Sequence, residues 1–328
     1  MLTELHEHPR PSVSVIIPTY QAGEELRDLL TRLQTQTLRP REIIVIDSSS
    51  KDGTPELAES LGARVIRIDQ ADFDHGGTRN YAASLAVGEV LVFMTQDAMP
   101  ADEHLLERLS APLLADERTA HTYARQLPRP DAALLERLAR DYNYPPESRR
   151  QDRTAIQSLG IKAFFCSNAC AAVRREYHRD RGGFASPVIF NEDLFMAADS
   201  ILAGYAVQYV ADACVMHSHN YSLLQHFKRM FDNGVSMRRN ASIYAYSGVN
   251  KAGSGLVGYQ LRELVKGKKR RLIPRLLAES AAKYAGYQLG RRYPMLPNAL
   301  CRRFSMHRRI WTKLSAESGS TGSTTASS

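Results

Sequence analysis

The sequence predicts an α/β fold: a mostly parallel central sheet flanked by helices, followed by a basic helical extension. Two observations predict it. Apolar runs of strand length alternate with segments of helical period through the first hundred residues. Two of those runs, Ile43–Ile46 and Val90–Met94, also deliver an aspartate, Asp47 or Asp97, into the loop that follows. Open α/β sheets bind ligands just outside the carboxyl ends of their strands, so two such acids can face one cleft.

Val13–Ile17 reads as the first strand, closed by Pro18, and Thr19 opens a loop to Gly23. Leu26, Leu29, Leu30 and Leu33 then recur at helical spacing, in a helix ending before Pro40. The second strand, 42–46, follows at once. Thr54 suits an N-cap with Pro55 as first helical residue, Gly62 closes that helix, and Val65–Ile68 is a third strand. This βαβαβ order implies parallel strands with right-handed crossovers.

The next loop, Asp72–Asn80, holds Gly76 and Gly77, which permit close backbone approach or positive φ, with Thr78 before a helix over Arg79–Val87. A helix N-terminus with an arginine beside glycines can cradle an anion or be a capped surface turn; GxGxxG and P-loop patterns are both absent. Val90–Met94 reads as a strand buried on both faces, and Pro100 is expected to end its ladder. A helix should run from Asp102 to about Leu114. Residues 120–158 are mixed and polar, with a helix over Asp131–Asp141 and otherwise a solvated or substrate-facing excursion. Order returns with a strand over Ile161–Cys166, an apolar run ending at Val173, and the Gly182-Gly183-Phe184 turn. Glu192 and Asp193 open a helix to Leu202; acids are favoured in a first helical turn whatever their chemistry. After a strand over Tyr205–Ala211 come His217 and His219, which on extended chain point to opposite sides, so at most one of them is expected to share a site with Asp97.

Composition narrows the function classes. At 328 residues, with 43% hydrophobic and 24% charged residues, the chain can bury a large core. No stretch of 18 apolar residues occurs and Met1–Pro11 has no apolar centre, so neither a membrane span nor a signal peptide is expected. A place in the cytoplasm, or on the cytoplasmic face of the inner membrane, follows as an expectation. Cys166, Cys170, Cys214 and Cys301 suit buried free thiols rather than a disulfide scaffold or zinc site. The net charge of +8 is uneven: Arg262 to Lys313 alone carry a net +13, leaving the remainder near −5. A basic third of this kind can face nucleic acid, an anionic leaflet or water. No helix-turn-helix or zinc pattern accompanies it and the strand-end acids would repel phosphate, so a nucleic-acid partner is not expected; a non-catalytic scaffold ranks below an enzyme.

Together these segments resemble the family 2 glycosyltransferases of the GT-A fold over roughly Pro11 to Asn220. The resemblance lies in Val13–Tyr20, Ile43–Thr54, Arg79-Asn80, the strand-end Asp97, Gly182-Gly183-Phe184 and Glu192-Asp193. Phe73–Asn80 with Thr95–Ala98 is similar to the bacterial rhamnosyltransferase branch, which uses a deoxythymidine-diphosphate sugar in making O-antigen and other surface polysaccharides. The resemblance implies a dTDP-L-rhamnose donor, or another UDP- or dTDP-sugar, held by Thr19, Asp47, Arg79, Asn80, Gln96 and Asp97. An Asp47 acceptor suits the ring imide N–H of thymine or uracil and disfavours cytosine. It also implies Mg²⁺ or Mn²⁺ on Asp97, with His217 ahead of His219 as second ligand, and inverting chemistry with Asp193 as base and Glu192 orienting it. One departure stands out: where the family has acid, any residue, acid, this chain reads Thr95-Gln96-Asp97, so metal dependence is expected but weaker.

The expected organisation is a flexible N-terminus (1–10), a catalytic domain (11–222), a helical basic extension for acceptor or membrane (223–314) and a disordered Ser/Thr/Gly tail (315–328). The extension interleaves Met295, Leu296, Leu300, Phe304 and Trp311 with arginines and carries Lys266 to Arg271, a pattern suited to an anionic membrane surface or to packing on the catalytic domain. The expected acceptor is a saccharide on a polyprenyl diphosphate carrier, and a homo-oligomer is compatible with the sequence.

Overall fold

The computed structural model describes residues 11–246 and 249–314, with backbone alone for 249–254. The expectations for 1–10 and 315–328 lie outside the described residues. The chain runs β1 (Val13–Thr19), α1 (Glu25–Gln34), β2 (Glu42–Asp47), α2 (Thr54–Ser60), β3 (Arg64–Arg67), α3 (His75–Leu85), β4 (Val90–Met94), β5 (Met99–Pro100) and α4 (Leu105–Ala115). It continues β6 (Thr119–Leu127), α5 (Leu134–Asn143), β7 (Arg149–Gln151), α6 (Ala155–Leu159), β8 (Cys170–Arg174), α7 (Arg175–Asp180), α8 (Glu192–Leu202) and β9 (Ala206–Met216). Helices α9 (Leu223–Arg239), α10 (Val249–Lys266), α11 (Ile273–Arg291) and α12 (Asn298–Phe304) complete it.

One mixed sheet has the order β3-β2-β1-β4-β8-β6-β9-β5, with β7 also on β9. Strands β1 to β4, β6 and β9 run one way; β5, β7 and β8 oppose them. The sheet is therefore mostly parallel, as expected, and alternate residues feed two cores. Val13, Val15 and Ile17 meet Leu26, Leu29, Leu30 and Leu33 of α1 on one face. Ile16, Ile44, Ile46, Leu91 and Phe93 meet Ala82 and Ala83 of α3 on the other. Double burial explains why these strands are continuously apolar.

Several local expectations change. Pro100 does not end pairing but sits in the short β5, opposite Val215 of β9. Ile161–Cys166 is not a strand: Gly160–Phe164 forms a 3₁₀ turn whose carbonyls, with that of Phe165, receive the Gln151 amide. Short apolar runs look alike in strands and buried turns, and here burial of Ile161 and Phe164 was the whole signal. In the poorly legible 120–158 region, β6 is a central strand whose polar side chains are satisfied internally. His121 pairs with Ser200 at 2.8 Å, Thr122 donates to the Leu109 carbonyl at 2.7 Å and Tyr123 donates to Gln151 at 2.7 Å. Hydropathy cannot see such a strand.

Helix α3 begins at His75, ahead of Thr78, because Asp74 caps it and accepts from the Gly76 and Gly77 N–H groups at 3.1 and 2.9 Å. Those donors are therefore taken by a carboxylate and do not form an open anion cradle. A Cβ on Gly76 would lie 1.9 Å from the Ala185 carbonyl oxygen, so close approach, not positive φ, requires that glycine.

Of the extension, α9 and α11 cross with backbones nearly touching. A Cβ at Gly286 or Gly290 would sit 2.2 or 2.1 Å from the Phe227 or Phe231 carbonyl oxygen. Ile310, Trp311 and Leu314 pack with Phe231 and Val235 of α9 and with Ile189, so Trp311 belongs to a core rather than to an interface with lipid. We expect Gly286→Ala to cost about 1–3 kcal/mol by overpacking, read as a lower thermal midpoint. Gly258→Ala, at a helical position with nothing within 4 Å, should hold or raise the midpoint.

Candidate active site

The register of the sheet brings the expected residues to one edge. Thr19 and Asp47 are parallel partners at the ends of β1 and β2, and the Thr19 hydroxyl donates to Asp47 at 3.0 Å. Gln96, just past β4, locks the loop after β1 by accepting from the Tyr20 N–H at 2.8 Å and donating to the Tyr20 carbonyl at 3.2 Å. Met94 pairs with Cys170, which places the loop before β8 here, and Leu127 pairs with Met216, which places His217 here.

A cavity of about 470 Å³ opens at this edge. Thr19, Ser48, Phe73, His75, Arg79 and Gln96 line one side, and Met306 to Ile310 line the other. Buried polar atoms in its lining, Ser48 Oγ and Arg79 Nε among them, have no protein hydrogen-bond partner. A buried polar atom left unpaired costs about 1–3 kcal/mol, so they mark where a polar ligand belongs.

Asp97, His217 and His219 gather with ligand atoms within 4.8 Å of one another. The His217 and His219 Nε2 atoms lie 3.5 and 3.4 Å from the Asp97 carboxylate. Both histidines therefore reach the acid, against the expectation for extended chain, because β9 ends at Met216 and strand alternation ends with it. Gln126 Oε1, which also accepts from Arg140, is 2.9 Å from His217 Nδ1. That contact puts the proton of a neutral ring on Nδ1 and leaves the Nε2 lone pair facing a carboxylate oxygen. Two acceptors so placed suit a cation between them, and two ligand bonds of about 2.0–2.2 Å give separations of this size. Burial would raise the Asp97 carboxyl, but with a proton in the cation's place the His217 hydrogen bond and the two imidazoles outweigh it and hold the carboxyl well below its usual range. Burial, with His217 beside it, pushes His219 down to about 4, which keeps that ring neutral and able to ligate.

Glu192 and Asp193 start α8 after Asn191, whose φ of +68° turns the chain into the helix. Asn168 holds both acids: its N–H donates to Asp193 at 2.9 Å and its side chain donates to Glu192 at 3.1 Å. Arg79 approaches Glu192 at 3.3 Å, with both side chains buried. Burial first, and then the Glu192 charge, push the Asp193 carboxyl well above its usual range. A carboxylate so placed is a poised proton acceptor.

The structure thus brings together Thr19, Arg79 and Gln96 at the cavity, Asp97 with His217, and Glu192 with Asp193. Asp47 is buried and does not line the cavity; it accepts from Thr19, from the Ser50 N–H at 2.8 Å and from the Ser50 hydroxyl at 2.6 Å. Asn80 lies apart as well, exchanging two hydrogen bonds of 2.8 Å with the Phe184 backbone. Sequence reasoning missed Gln126, Asn168, Ser48 and the residues 306–310. Two left a trace: Ser48, inside the Ile43–Thr54 stretch, and Asn168, a polar residue between two apolar runs.

Residues 14–182 match the profile described as Glycosyl transferase family 2. The chain is 40% identical over 305 residues to the O-antigen chain rhamnosyltransferase RfbN of Salmonella typhimurium, spanning 92% of this chain and 96% of that protein. It is 40% identical over 307 residues to the O-antigen chain rhamnosyltransferase WbaN of Salmonella anatum, spanning 93% and 97%. Its fold is similar to that of the mannosyltransferase PcManGT from Pyrobaculum calidifontis, solved with GDP-Man and Mn²⁺, with a TM-score of 0.54, 21% identity and coverage of 94% and 84%. It is also similar to TarS of S. aureus, with a TM-score of 0.51, 17% identity and coverage of 86% and 90%. The sheet, the helices around it and the C-terminal helical extension make a GT-A-like arrangement, and with the profile and the near-complete alignments they show that this chain is a glycosyltransferase belonging to glycosyl transferase family 2.

Proposed function

We propose that the chain is an inverting, metal-dependent rhamnosyltransferase that moves L-rhamnose from dTDP-β-L-rhamnose to a saccharide on a polyprenyl diphosphate carrier, in assembly of a cell-surface polysaccharide. One observation carries the reading of the site: a cavity at the carboxyl edge of the sheet, with unpaired Ser48 and Arg79 atoms, meets a buried carboxylate pair through Arg79 itself. The choice of rhamnose and of a surface polysaccharide is supported by the similarity to RfbN and WbaN, both O-antigen chain rhamnosyltransferases.

In this mechanism Ser48, beside the buried Asp47, faces the thymine ring, and Arg79 faces the donor while holding Glu192. Asp193 takes the proton of the acceptor hydroxyl as its oxygen attacks the anomeric carbon. The bond to the diphosphate oxygen breaks with its electron pair, leaving dTDP and an α-linked product. Glu192, fixed by Asn168 and Arg79, orients the base. Asp97, His217 and His219 would hold a divalent ion, which supplies charge neutralisation at the departing diphosphate. Two imidazole nitrogens in that set favour Mn²⁺ over Mg²⁺, which prefers all-oxygen shells.

The proposed place of work is the cytoplasmic face of the inner membrane. No helix among the described residues is long and apolar enough to cross a membrane. Leu261 and Val265 of α10, Leu277 and Tyr284 of α11, and Met295 at 81% exposure are nonetheless open to solvent, near the basic Lys266–Arg271 stretch in sequence. Exposed apolar residues with basic neighbours suit a peripheral contact with anionic lipid. A peripheral enzyme meets both a soluble donor and a lipid-borne acceptor.

A panel of dTDP-, UDP- and GDP-sugars tests the donor: fastest transfer from dTDP-rhamnose, with an α-linked product, is expected, and a faster UDP-sugar would replace it. Asp193→Asn should cut turnover by about 10²–10⁴-fold with donor affinity intact. Because the base must be ionised and its pKa is raised, to about 7, kcat/KM should fall as pH drops through neutrality rather than below pH 5. Removing metal with chelator should abolish transfer, with Mn²⁺ restoring it better than Mg²⁺; full activity in chelator would remove the metal from the reading. Charge reversal at Lys268, Lys269, Arg270 and Arg271 should weaken sedimentation with anionic vesicles at about 0.15 M salt and spare transfer to a soluble acceptor.

A further inference from the structure

The wall opposite the strand ends comes from the far end of the chain. After more than 200 further residues, Met306 to Ile310 return to the cavity that Thr19, Ser48, Arg79 and Gln96 line from the sheet side. This return is tethered on both flanks. The buried Asp232 of α9 accepts from the Met306 N–H at 2.8 Å, and the Ser305 hydroxyl accepts from the His307 N–H at 2.9 Å. Beyond it, Ile310, Trp311 and Leu314 are packed into the α9 core, and Lys313 Nζ donates to the Asp72 carbonyl in the loop before α3. The His307 ring meets the His75 ring edge-on, with centroids 4.7 Å apart. Held at these points, Arg308 and Arg309 lie at the cavity mouth, exposed, and neither guanidinium has a hydrogen-bond or ion-pair partner among the described residues.

The charges around the cavity are one-sided. No carboxylate is among its lining residues, whereas Arg79, Arg308 and Arg309 all are. Arg79 is already compensated by Glu192. Asp97 is the single carboxylate of the metal-binding triad, so the triad with a divalent ion presents about one net positive charge. A sugar nucleotide brings about two negative charges on its diphosphate, and the nucleoside diphosphate left after transfer brings about three. The shortfall is about one charge with the sugar nucleotide and about two with the product, and two unpaired guanidinium groups stand there. Arginine is also the side chain whose forked donors match phosphate oxygens.

We infer that residues 306–310 form part of the donor site, with Arg308 and Arg309 binding the diphosphate of the nucleotide sugar and of the product nucleotide. The inference rests on the donor reading of the cavity. It makes the C-terminal segment a component of donor binding, distinct from the basic residues of 266–271. Both arginines contact substrate and leaving group, so their loss acts on ground-state affinity and on turnover together.

The test uses the full chain and calorimetric titration with dTDP, UDP and GDP. Arg308→Gln and Arg309→Gln should each weaken the preferred nucleoside diphosphate about tenfold, and the double variant about a hundredfold. The salt dependence of binding should also become shallower. Arg303→Gln, an exposed basic residue of α12 outside the cavity lining, should bind like the unmodified protein. The thermal midpoint should not move, because both arginines are exposed and unpaired. A double variant that binds within twofold of the unmodified protein overturns the inference and leaves the donor reading standing. An unmodified protein that binds none of the three nucleotides overturns the donor reading, and the inference with it.

Discussion

The buried contact between Arg79 and Glu192, at 3.3 Å, is the interaction on which the site depends. It joins α3 to the start of α8, two elements more than a hundred residues apart in sequence, and it lies between the cavity and the carboxylate pair. Breaking a buried pair by removing one partner costs about 3–5 kcal/mol, so the contact is structural as well as electrostatic. It also sets the chemistry. One guanidinium serves two adjacent acids, and the geometry gives it to Glu192; Asp193, buried and beside a negative neighbour, is left holding its proton more tightly than an aspartate in water. Asn168 limits the cost by donating to both acids. A different rotation of α8 would exchange the two roles, and the left-handed Asn191 that opens the helix fixes that rotation.

The metal-binding triad depends on a break in regularity of another kind. β9 is long and pairs with β5, β6 and β7, yet it stops at Met216, directly before the histidines. Had the ladder continued, one ring would face away from Asp97. Gln126, at the end of β6, then settles which nitrogen of His217 is left to ligate. Thr95 in place of an acid lowers the negative charge of this corner, and Arg308 and Arg309 line the same cavity as Thr95.

The C-terminal extension shows how one sequence pattern serves two ends. Its apolar and basic residues alternate in a way that suits an interface, but the fold divides them. Ile310, Trp311 and Leu314 turn inward onto α9, while Tyr284 and Met295 remain open. The division follows from glycines on α9 and α11 that let the two backbones approach, creating a groove into which the last segment packs. Hydropathy gives each of these residues the same weight; only the crossing decides which are covered.

The sequence by itself determined the succession of strands and helices in the parallel half of the sheet, because strands buried on both faces must be continuously apolar and helices covering them must repeat at 3.6. It also placed Asp47, Asp97, Glu192 and Asp193 at element ends, and its motifs carried the family. It could not show β6, whose polar residues are paired inside the protein, nor the turn at Gly160–Phe164, whose apolar run is too short for its period to be read. What only the tertiary structure decided is which of these residues meet. Asn80 adjoins Arg79 in sequence yet binds the Phe184 backbone, because successive residues of a helix lie about 100° apart around its axis. Asp47 is covered by Thr19 and Ser50 rather than opening into the cavity. His219 joins Asp97, and Arg308 and Arg309 reach the cavity mouth, through contacts that link parts of the chain far apart in sequence. Local patterns record periodicity and burial, whereas a site of this kind is made of distances between elements, and those are set by packing.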